Sequence, residues 1–403
     1  MQPKLRSALE PQWIQHEGRD ALLVRDKLGI SDQAIVLPEP LAVLVSLFDG
    51  QRDTAAISAA FQLRTGMRVS RAYVDALVQQ LDDVLFLDSP RYEAAYRKVL
   101  DEYRNQDSRK PSLAGAGYPA AVAQLDSLLL GYLDGAEGPS VDGRFIRGII
   151  SPHIDFARGG RTYAKVWKRA EASLREAEII IVFGTDHLGG PGEITLTRQS
   201  YATPYGVLPT AVEVVDAMAQ AIGHEEAFAS ELHHRSEHSI ELAAVWLHHS
   251  IDSRRCDIVP VLCGSFQPFT DGDRDAARDE RLNAALDALM AATRGRRTIA
   301  VAAADLAHVG PAFGDPVPLG PLEKATLASD DSQMMERVLT GDAGAFLQRL
   351  QEEGDRRRIC GLPPIYMMLR FLEDSRGEMI GYEQCPADAN GGSIVSITGA
   401  LFY

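Results

Sequence analysis

Ile179-Ile180-Ile181-Val182-Phe183-Gly184-Thr185-Asp186-His187 is the stretch on which the fold turns. Its first five residues are apolar and mostly β-branched, and no polar residue alternates with them. The run is short for a core helix, so it predicts a strand buried on both faces, as in a sheet covered by helices. Ile146-Arg147-Gly148-Ile149-Ile150, Ile258-Val259-Pro260-Val261-Leu262 and Thr298-Ile299-Ala300-Val301-Ala302 are runs of the same kind, separated by helical stretches. From Gly143 onward this alternation predicts an α/β fold, in which ligands gather where strands end.

The polar residues stand at those ends. Ser151-Pro152-His153-Ile154-Asp155-Phe156 follows the first run, Gly184-Thr185-Asp186-His187 the second, and Ala303-Ala304-Asp305-Leu306-Ala307-His308 the last. A single histidine in such a loop is more often a hydrogen-bonding or capping group. Three placed alike point to a metal or an acid/base site in a shared cleft. In Glu231-Leu232-His233-His234-Arg235-Ser236-Glu237-His238-Ser239-Ile240-Glu241, Glu237 and His238 can reach that cleft from the start of the next helix, whereas His248-His249 read as a solvated helix end. Cys360, before Gly361-Leu362-Pro363-Pro364, sits at a helix start, a setting that lowers a thiol's pKa and suits either a ligand or a nucleophile. No oxyanion-hole pattern accompanies it, which ranks the nucleophile last.

Composition narrows the classes. The chain of 403 residues is 45% hydrophobic and 24% charged, enough for a substantial core and more than one domain. A net charge of −15 with scattered basic residues argues against nucleic acid and anionic membranes as partners. A small molecule, a peptide, a metal or another protein fits better. The N-terminal residues contain no apolar signal region, and no apolar run approaches the ~20 residues of a membrane span, so a cytoplasmic protein is expected. Cys256, Cys263, Cys360 and Cys385 show no paired spacing and are expected to be unpaired thiols, ligands or nucleophiles.

Residues 1–110 have a different texture. Ala21-Leu22-Leu23-Val24-Arg25 and Gln33-Ala34-Ile35-Val36-Leu37 predict a strand pair joined through a turn containing Gly29. Three helices follow: Pro40 to Phe48, one capped at Asp53-Thr54 and ending near Gly66, and one after Ser70 with Tyr73, Leu77, Leu81 and Val84 as its buried stripe. A helix from Arg91 to Tyr103 leads into the polar stretch Arg104 to Ser112, read as a linker. Leu47-Phe48-Asp49-Gly50-Gln51-Arg52-Asp53-Thr54-Ala55-Ala56-Ile57 and Leu81-Asp82-Asp83-Val84-Leu85-Phe86-Leu87 resemble the PqqD-like winged-helix domains. That resemblance implies a small α+β domain taking a peptide as an added strand. A packing or dimerisation appendage is the alternative.

Residues 111–403 carry a more specific likeness. His153 in a Pro-His-x-x-aromatic context, His187 in Gly-x-x-His, Glu237-His238-Ser239-Ile240-Glu241, Val259-Pro260-Val261-Leu262, Asp305-x-x-His308-x-Gly310 and Cys360-Gly361-x-x-Pro364-Ile365 resemble, in that order, the Memo family. That family includes the AmmeMemoRadiSam system protein B group, and the likeness runs from about Gly115 to Tyr403. It implies a mixed sheet covered by helices on both faces, similar to the class III extradiol dioxygenases. It further implies a mononuclear non-haem metal, Fe(II) first and copper or zinc next, on His153, His187 and Cys360. His308 would be the acid/base group with Asp305 beside it, and His238 with Glu237 would position substrate. The implied activity is that of an oxidoreductase; the alternative is a non-catalytic peptide- or protein-binding partner of radical-SAM and AMMECR-type proteins. A thiolate in place of the dioxygenases' carboxylate makes the site softer, so ring cleavage does not follow from the fold. Asp155 and Asp186 depart from the family's pattern and would either add charge near the ion or hold the histidine rings through their second nitrogens.

Overall fold

In a computed structural model describing residues 2–138, 143–252 and 254–403, the chain divides into two compact units, Met1–Gln106 and Asp107–Tyr403. The first holds a three-stranded antiparallel sheet, β1 (Leu9–His16), β2 (Arg19–Asp26) and β3 (Ala34–Pro38), in that order. β2 and β3 are the strands expected from their apolar residues. β1 is additional: Leu-Glu-Pro-Gln-Trp-Ile-Gln-His is largely exposed and lacks the alternation that marks a half-buried strand. The turn from β2 to β3 is organised by Asp26, whose carboxylate is buried against Arg6 and accepts from the backbone of Leu28, Ile30 and Ser31.

Four helices complete this unit: α1 (Glu39–Val45), α2 (Thr54–Thr65), α3 (Arg71–Asp83) and α4 (Pro90–Arg104). The boundaries of α2 and α3 follow the capping chemistry read from the sequence, whereas α1 stops at Val45, short of the expected Phe48. Asp53 accepts from Ala56 N at 2.8 Å, Ser70 from Tyr73 N at 3.1 Å, and Gly66 closes α2 in the left-handed region at φ 74°. The buried stripe of α3 is Val74, Leu77, Val78 and Leu81, while Tyr73 is 46% exposed and only part of Val84 is covered. Tyr73 is the third residue of the helix, and its ring lies outside the face that meets the core.

The second unit is α/β. Its strands are β4 (Gly148–Ser151), β5 (Ile179–Thr185), β6 (Ile194–Leu196), β7 (Tyr201–Thr203), β8 (Gly206–Leu208), β9 (Asp257–Cys263), β10 (Thr298–Ala303), β11 (His308–Val309), β12 (Gly377–Pro386) and β13 (Ile394–Phe402). Among the described residues, eight of them make one mixed sheet in the order β11-β13-β4-β10-β5-β9-β6, with β12 on β13. β4, β10, β5 and β9 run parallel, and β13 and β6 pair antiparallel to the ends of that block.

Successive side chains of the parallel strands enter two different cores. Ile179, Ile181, Phe183, Val259, Val261, Ala300 and Ala302 pack on one face with α7 (Val212–Ile222), α12 (Glu280–Thr293), α13 (Pro321–Leu339), α14 (Ala343–Glu353) and α15 (Leu362–Leu372). Ile180, Val182, Ile258, Leu262, Ile299 and Val301 pack on the other with α5 (Val122–Leu133), α6 (Phe156–Glu176) and α10 (Ser239–Ile251). The short helices α8 (His224–Phe228), α9 (His233–Ser236) and α11 (Gln267–Thr270) connect these layers. Full burial on both faces explains the unbroken apolar runs. Among the described residues no helix is long and apolar enough to cross a membrane.

Two sequence expectations are corrected here. Arg109, in the stretch read as linker, is fully buried in the second unit: its amide donates to Ser200 O, and its carbonyl accepts from Ala202 N. His248 and His249 are not a solvated helix end. Both are partly buried; the His248 ring bonds Thr203 Oγ1 at 2.8 Å, and His249 lies 3.6 Å from Asp126.

Candidate metal centre

β4, β5 and β10 end side by side, and each hands the chain to a loop that carries a polar residue back over the sheet's rim. His153 follows β4 and is buried; its amide and that of Ile154 donate to Asp305 Oδ1, 2.8 and 3.2 Å away. His187 follows β5. His238 is the N-cap residue of α10, which Glu237 immediately precedes.

These three rings form one cluster. Their centroids lie 5.0 to 5.6 Å apart, and one ligand atom from each of His153, His187 and His238 falls within 4.8 Å of the others. The second nitrogens set the tautomers. His153 Nδ1 donates to the Ala303 carbonyl at 2.9 Å, and His187 Nδ1 to Glu237 Oε2 at 2.9 Å, which leaves both Nε2 lone pairs available as ligands. Glu237 organises this arrangement. Oε2 also accepts His187 N at 3.1 Å; Oε1 accepts His238 N at 2.7 Å and Ser239 N at 3.0 Å, and lies 3.2 Å from His238 Nδ1.

Cys360 adjoins the cluster, its Sγ 3.4 Å from His153 Nε2 and 3.8 Å from the Asp305 carbonyl. Its backbone is held where the Thr185 hydroxyl donates to Cys360 O at 3.0 Å and Gly361 N to Asp305 O at 3.0 Å. Asp305 Oδ2 is 3.7 Å from His153 Nε2. His308, on β11, turns Nδ1 to Leu306 O at 3.1 Å and sets its ring edge-on to Phe313. A cavity of about 490 Å³ gathers His153, His187, His238, Asp305 and His308 among Leu113, Ile154, Leu242, Phe313 and Val395. A second, of about 420 Å³, is lined by His187 and Cys360 together with Asp186, Cys263, Asp355 and Arg358.

Electrostatics follow from burial and neighbours. Burial, with His187 and His238 close by, lowers His153 to about 3 and keeps its ring neutral. For His187 burial acts downward too, but the charge and hydrogen bond of Glu237 more than offset it and the pKa is raised. Glu237 is the mirror case: burial would raise it, yet His187 and His238 hold it well below the ordinary range. Burial pushes Asp305 up against the pull of the His153 amide, and pushes His308 down.

Cys360 departs from expectation. Burial and then the Asp305 carboxylate push its thiol well above the ordinary value, outweighing any lowering from the helix start. The other cysteines are buried free thiols, and burial drives Cys256 and Cys385 up to about 12. Asp155 and Asp186 hold neither His153 nor His187. Asp155 caps α6 and pairs with Arg158 at 2.6 Å, and Asp186 binds His233 Nδ1 at 2.8 Å. Sequence reasoning missed Arg109, which reaches the backbone of the Glu237 turn; its one signal, an arginine in a polar stretch, does not distinguish it from a solvated residue.

The family model for Memo-like protein matches residues 109–401. The chain belongs to the Memo family. Among its Memo relatives, a MEMO1 family protein of Aquifex aeolicus (strain VF5) is 23% identical over 392 residues, 95% of this chain and 96% of its own. That match extends into the first unit. A MEMO1 family protein of Methanosarcina mazei is 26% identical over 68% of this chain and 91% of its own, and the Protein memo-1 homolog of Caenorhabditis elegans 27% identical over 67% and 73%.

Proposed function

We propose that this Memo-family chain holds one metal ion at the rim of its mixed sheet and serves as a redox enzyme acting on a small molecule or peptide. The observation carrying this reading is the convergence of three imidazoles, His153, His187 and His238, with Cys360 Sγ beside His153. The donor set fits a metal: acceptors behind His153 and His187 turn their Nε2 lone pairs toward the cluster, and second-shell acceptors of this kind are what metal-bound imidazoles use. His153, His187 and Cys360 are the proposed ligands, with His238 a fourth or alternative one. Fe(II) is the favoured ion, and the soft sulfur makes copper or zinc the alternatives. When bound, the ion would supply Lewis-acid and one-electron chemistry.

The protein's own part is more concrete. His308 and Asp305 face the larger cavity, where a neutral imidazole next to a carboxyl of raised pKa can take up and return a proton. Glu237 fixes the ring of His187 and contacts His238, so it positions rather than reacts. Leu113, Ile154, Leu242, Phe313 and Val395 exclude water from one side of the cavity and favour an apolar moiety on the substrate.

We further propose a sheet of the class III extradiol dioxygenase kind, membership of the AmmeMemoRadiSam system protein B group with radical-SAM and AMMECR-type proteins as partners, and a cytoplasmic location. For the first unit we propose a PqqD-like winged helix. A second reading, a non-catalytic peptide- or protein-binding partner of such a modification system, is favoured by this unit: β1 and β3 are edge strands of its small sheet, and strand addition by a peptide needs such an edge.

Metal analysis and anomalous scattering across the iron, copper and zinc edges test the main reading on the full chain. One ion per chain is expected at His153 and His187, and no uptake of any of the three on reconstitution would overturn it. Cobalt-loaded variants then separate the ligand sets: Cys360→Ala should abolish a thiolate-to-metal band, while His238→Ala should leave it.

A further inference from the structure

Arg109 is the largest charged side chain that the second unit buries completely, and all three of its guanidinium nitrogens are used. Nε donates to His234 O at 2.8 Å, Nη2 to Glu237 O at 2.8 Å, and Nη1 pairs with the Glu241 carboxylate. The fork therefore spans both carbonyls of the short turn that ends in Glu237, and anchors it to the first turn of α10. Its guanidinium also lies 5.0 Å from the centre of the Tyr201 ring, whose hydroxyl bonds His234 Nδ1 at 2.6 Å. Glu241 accepts in addition from Ser112 N and Oγ at 2.8 Å, Leu113 N at 2.9 Å and the Tyr118 hydroxyl at 2.6 Å. Leu113 continues from this knot into the wall of the larger cavity.

The Glu237 side chain must reach two ring nitrogens and three amides from one backbone position. A backbone shift of a fraction of an ångström would lengthen several of these bonds together. A planar fork aims its N–H groups in fixed directions and so holds two carbonyls and a carboxylate in set positions; a lysine ammonium is a point charge on a flexible stem and does not fix them.

We propose that Arg109 is a positioning residue for the histidine cluster, which sets the Glu237 turn and through it the ring orientation and tautomer of His187. This deepens the metal-centre reading and rests on it for its functional consequence.

The test uses full-chain Arg109→Lys and Arg109→Met. The His187 Nδ1 proton, hydrogen-bonded to Glu237, is followed by NMR without metal, and cobalt affinity is measured separately. Wild type should show a downfield, slowly exchanging resonance. Arg109→Met should lose it and bind cobalt on the order of tenfold more weakly, within the range seen when outer-shell partners of a metal site are removed. Arg109→Lys neutralises Glu241 yet cannot span both carbonyls, so it should fold while the proton exchanges faster; it carries the test if the methionine variant does not fold. A purely structural arginine would lower stability and leave the resonance and the cobalt affinity of the folded protein unchanged, which would overturn the proposal. Wild type that takes up no cobalt would sink the metal reading alone, because the resonance, recorded without metal, still decides the role of Arg109.

Discussion

Glu237→Gln removes one negative charge from the cluster and almost no volume, and its effect follows from counting donors. Four N–H groups point at this carboxylate between 2.7 and 3.1 Å, His187 N and Nδ1 at Oε2 and His238 N and Ser239 N at Oε1, and His238 Nδ1 lies 3.2 Å from Oε1. A carboxamide keeps one accepting oxygen and presents an NH2 at the other end. The Oε1 end faces, besides the His238 ring nitrogen, two backbone amides, which cannot become acceptors. The Oε2 end faces one amide and one imidazole nitrogen, and the imidazole can exchange its proton to the far side. The NH2 should therefore turn to His187, whose Nδ1 becomes the acceptor and whose Nε2 becomes protonated, closing it as a ligand. His187 N loses its acceptor, and because His187 is exposed, water can take the acceptor's place, so the cost is about 1 kcal/mol.

Two measurements follow. Metal-free Glu237→Gln should melt roughly 2–4 °C below wild type, given a shift of about 2–4 °C per kcal/mol in large domains. Cobalt or zinc affinity should fall by about 10- to 100-fold, the usual consequence of losing an outer-shell carboxylate. Nitrogen NMR of the ring reports the tautomer directly. A variant that binds metal as tightly as wild type, with its His187 proton still on Nδ1, would refute the reasoning.

Three further outcomes are expected. At Gly361 an added Cβ would lie 2.3 Å from Asp305 O and 2.7 Å from Ala304 Cβ, so Gly361→Ala should shift the Cys360 turn, cost about 1–3 kcal/mol and weaken metal uptake; a thermal melt and a cobalt titration matching wild type would contradict this. Burial lowers His234 to about 3 against 6.5 for a free imidazole, so the unfolded chain binds the extra proton. The contribution of His234 is then full above about pH 6.5 and is lost at about 1.4 kcal/mol per pH unit as pH drops from 6.5 toward 3, beside a like contribution from His153; His234→Gln should reduce the slope seen in denaturant titrations by about that amount. Arg357 is buried between Asp331 and Glu353, and Arg357→Met should cost about 3–5 kcal/mol by stranding both carboxylates, with recovery when Asp331→Asn and Glu353→Gln are added.

The legible parts of this fold are those written in local chemistry. A strand covered on both faces must be apolar throughout, so Ile179 to Phe183 announces itself, and Asp53, Ser70 and Gly66 mark helix ends through bonds to residues three or four positions away. β1 is hidden because a strand in a small exposed sheet needs little apolar content. The histidines could be placed at strand ends, but their roles could not be ranked: which ring meets which carboxylate depends on contacts such as His187 to Glu237, 50 residues apart. Arg109 is a stronger case. Its partners Glu241 and Glu237 lie 132 and 128 positions away, and nothing local separates a buried arginine from a solvated one. For Cys360 the local cue was read and outvoted. Its position before a helix favours a thiolate, but desolvation of this part-buried side chain, with Asp305 nearby, favours the thiol more.

That reversal bears on which chemistry the cluster can perform. A cysteine nucleophile needs a base able to take its proton, and the nearest nitrogen, His153 Nε2 at 3.4 Å, belongs to a ring that burial and two neighbouring imidazoles hold at about 3. Such a ring accepts a hydrogen bond from the thiol and leaves the proton on sulfur, so the pair is a poor nucleophile-base couple. A bound divalent cation would change the balance, because it would stabilise the thiolate directly while the proton left to solvent. The same cation would take the Nε2 atoms that His153 and His187 turn toward the cluster while Ala303 O and Glu237 occupy their other nitrogens. Side chains poorly arranged to act as a nucleophile and base would thus be well arranged, on the proposed reading, to hold a metal ion.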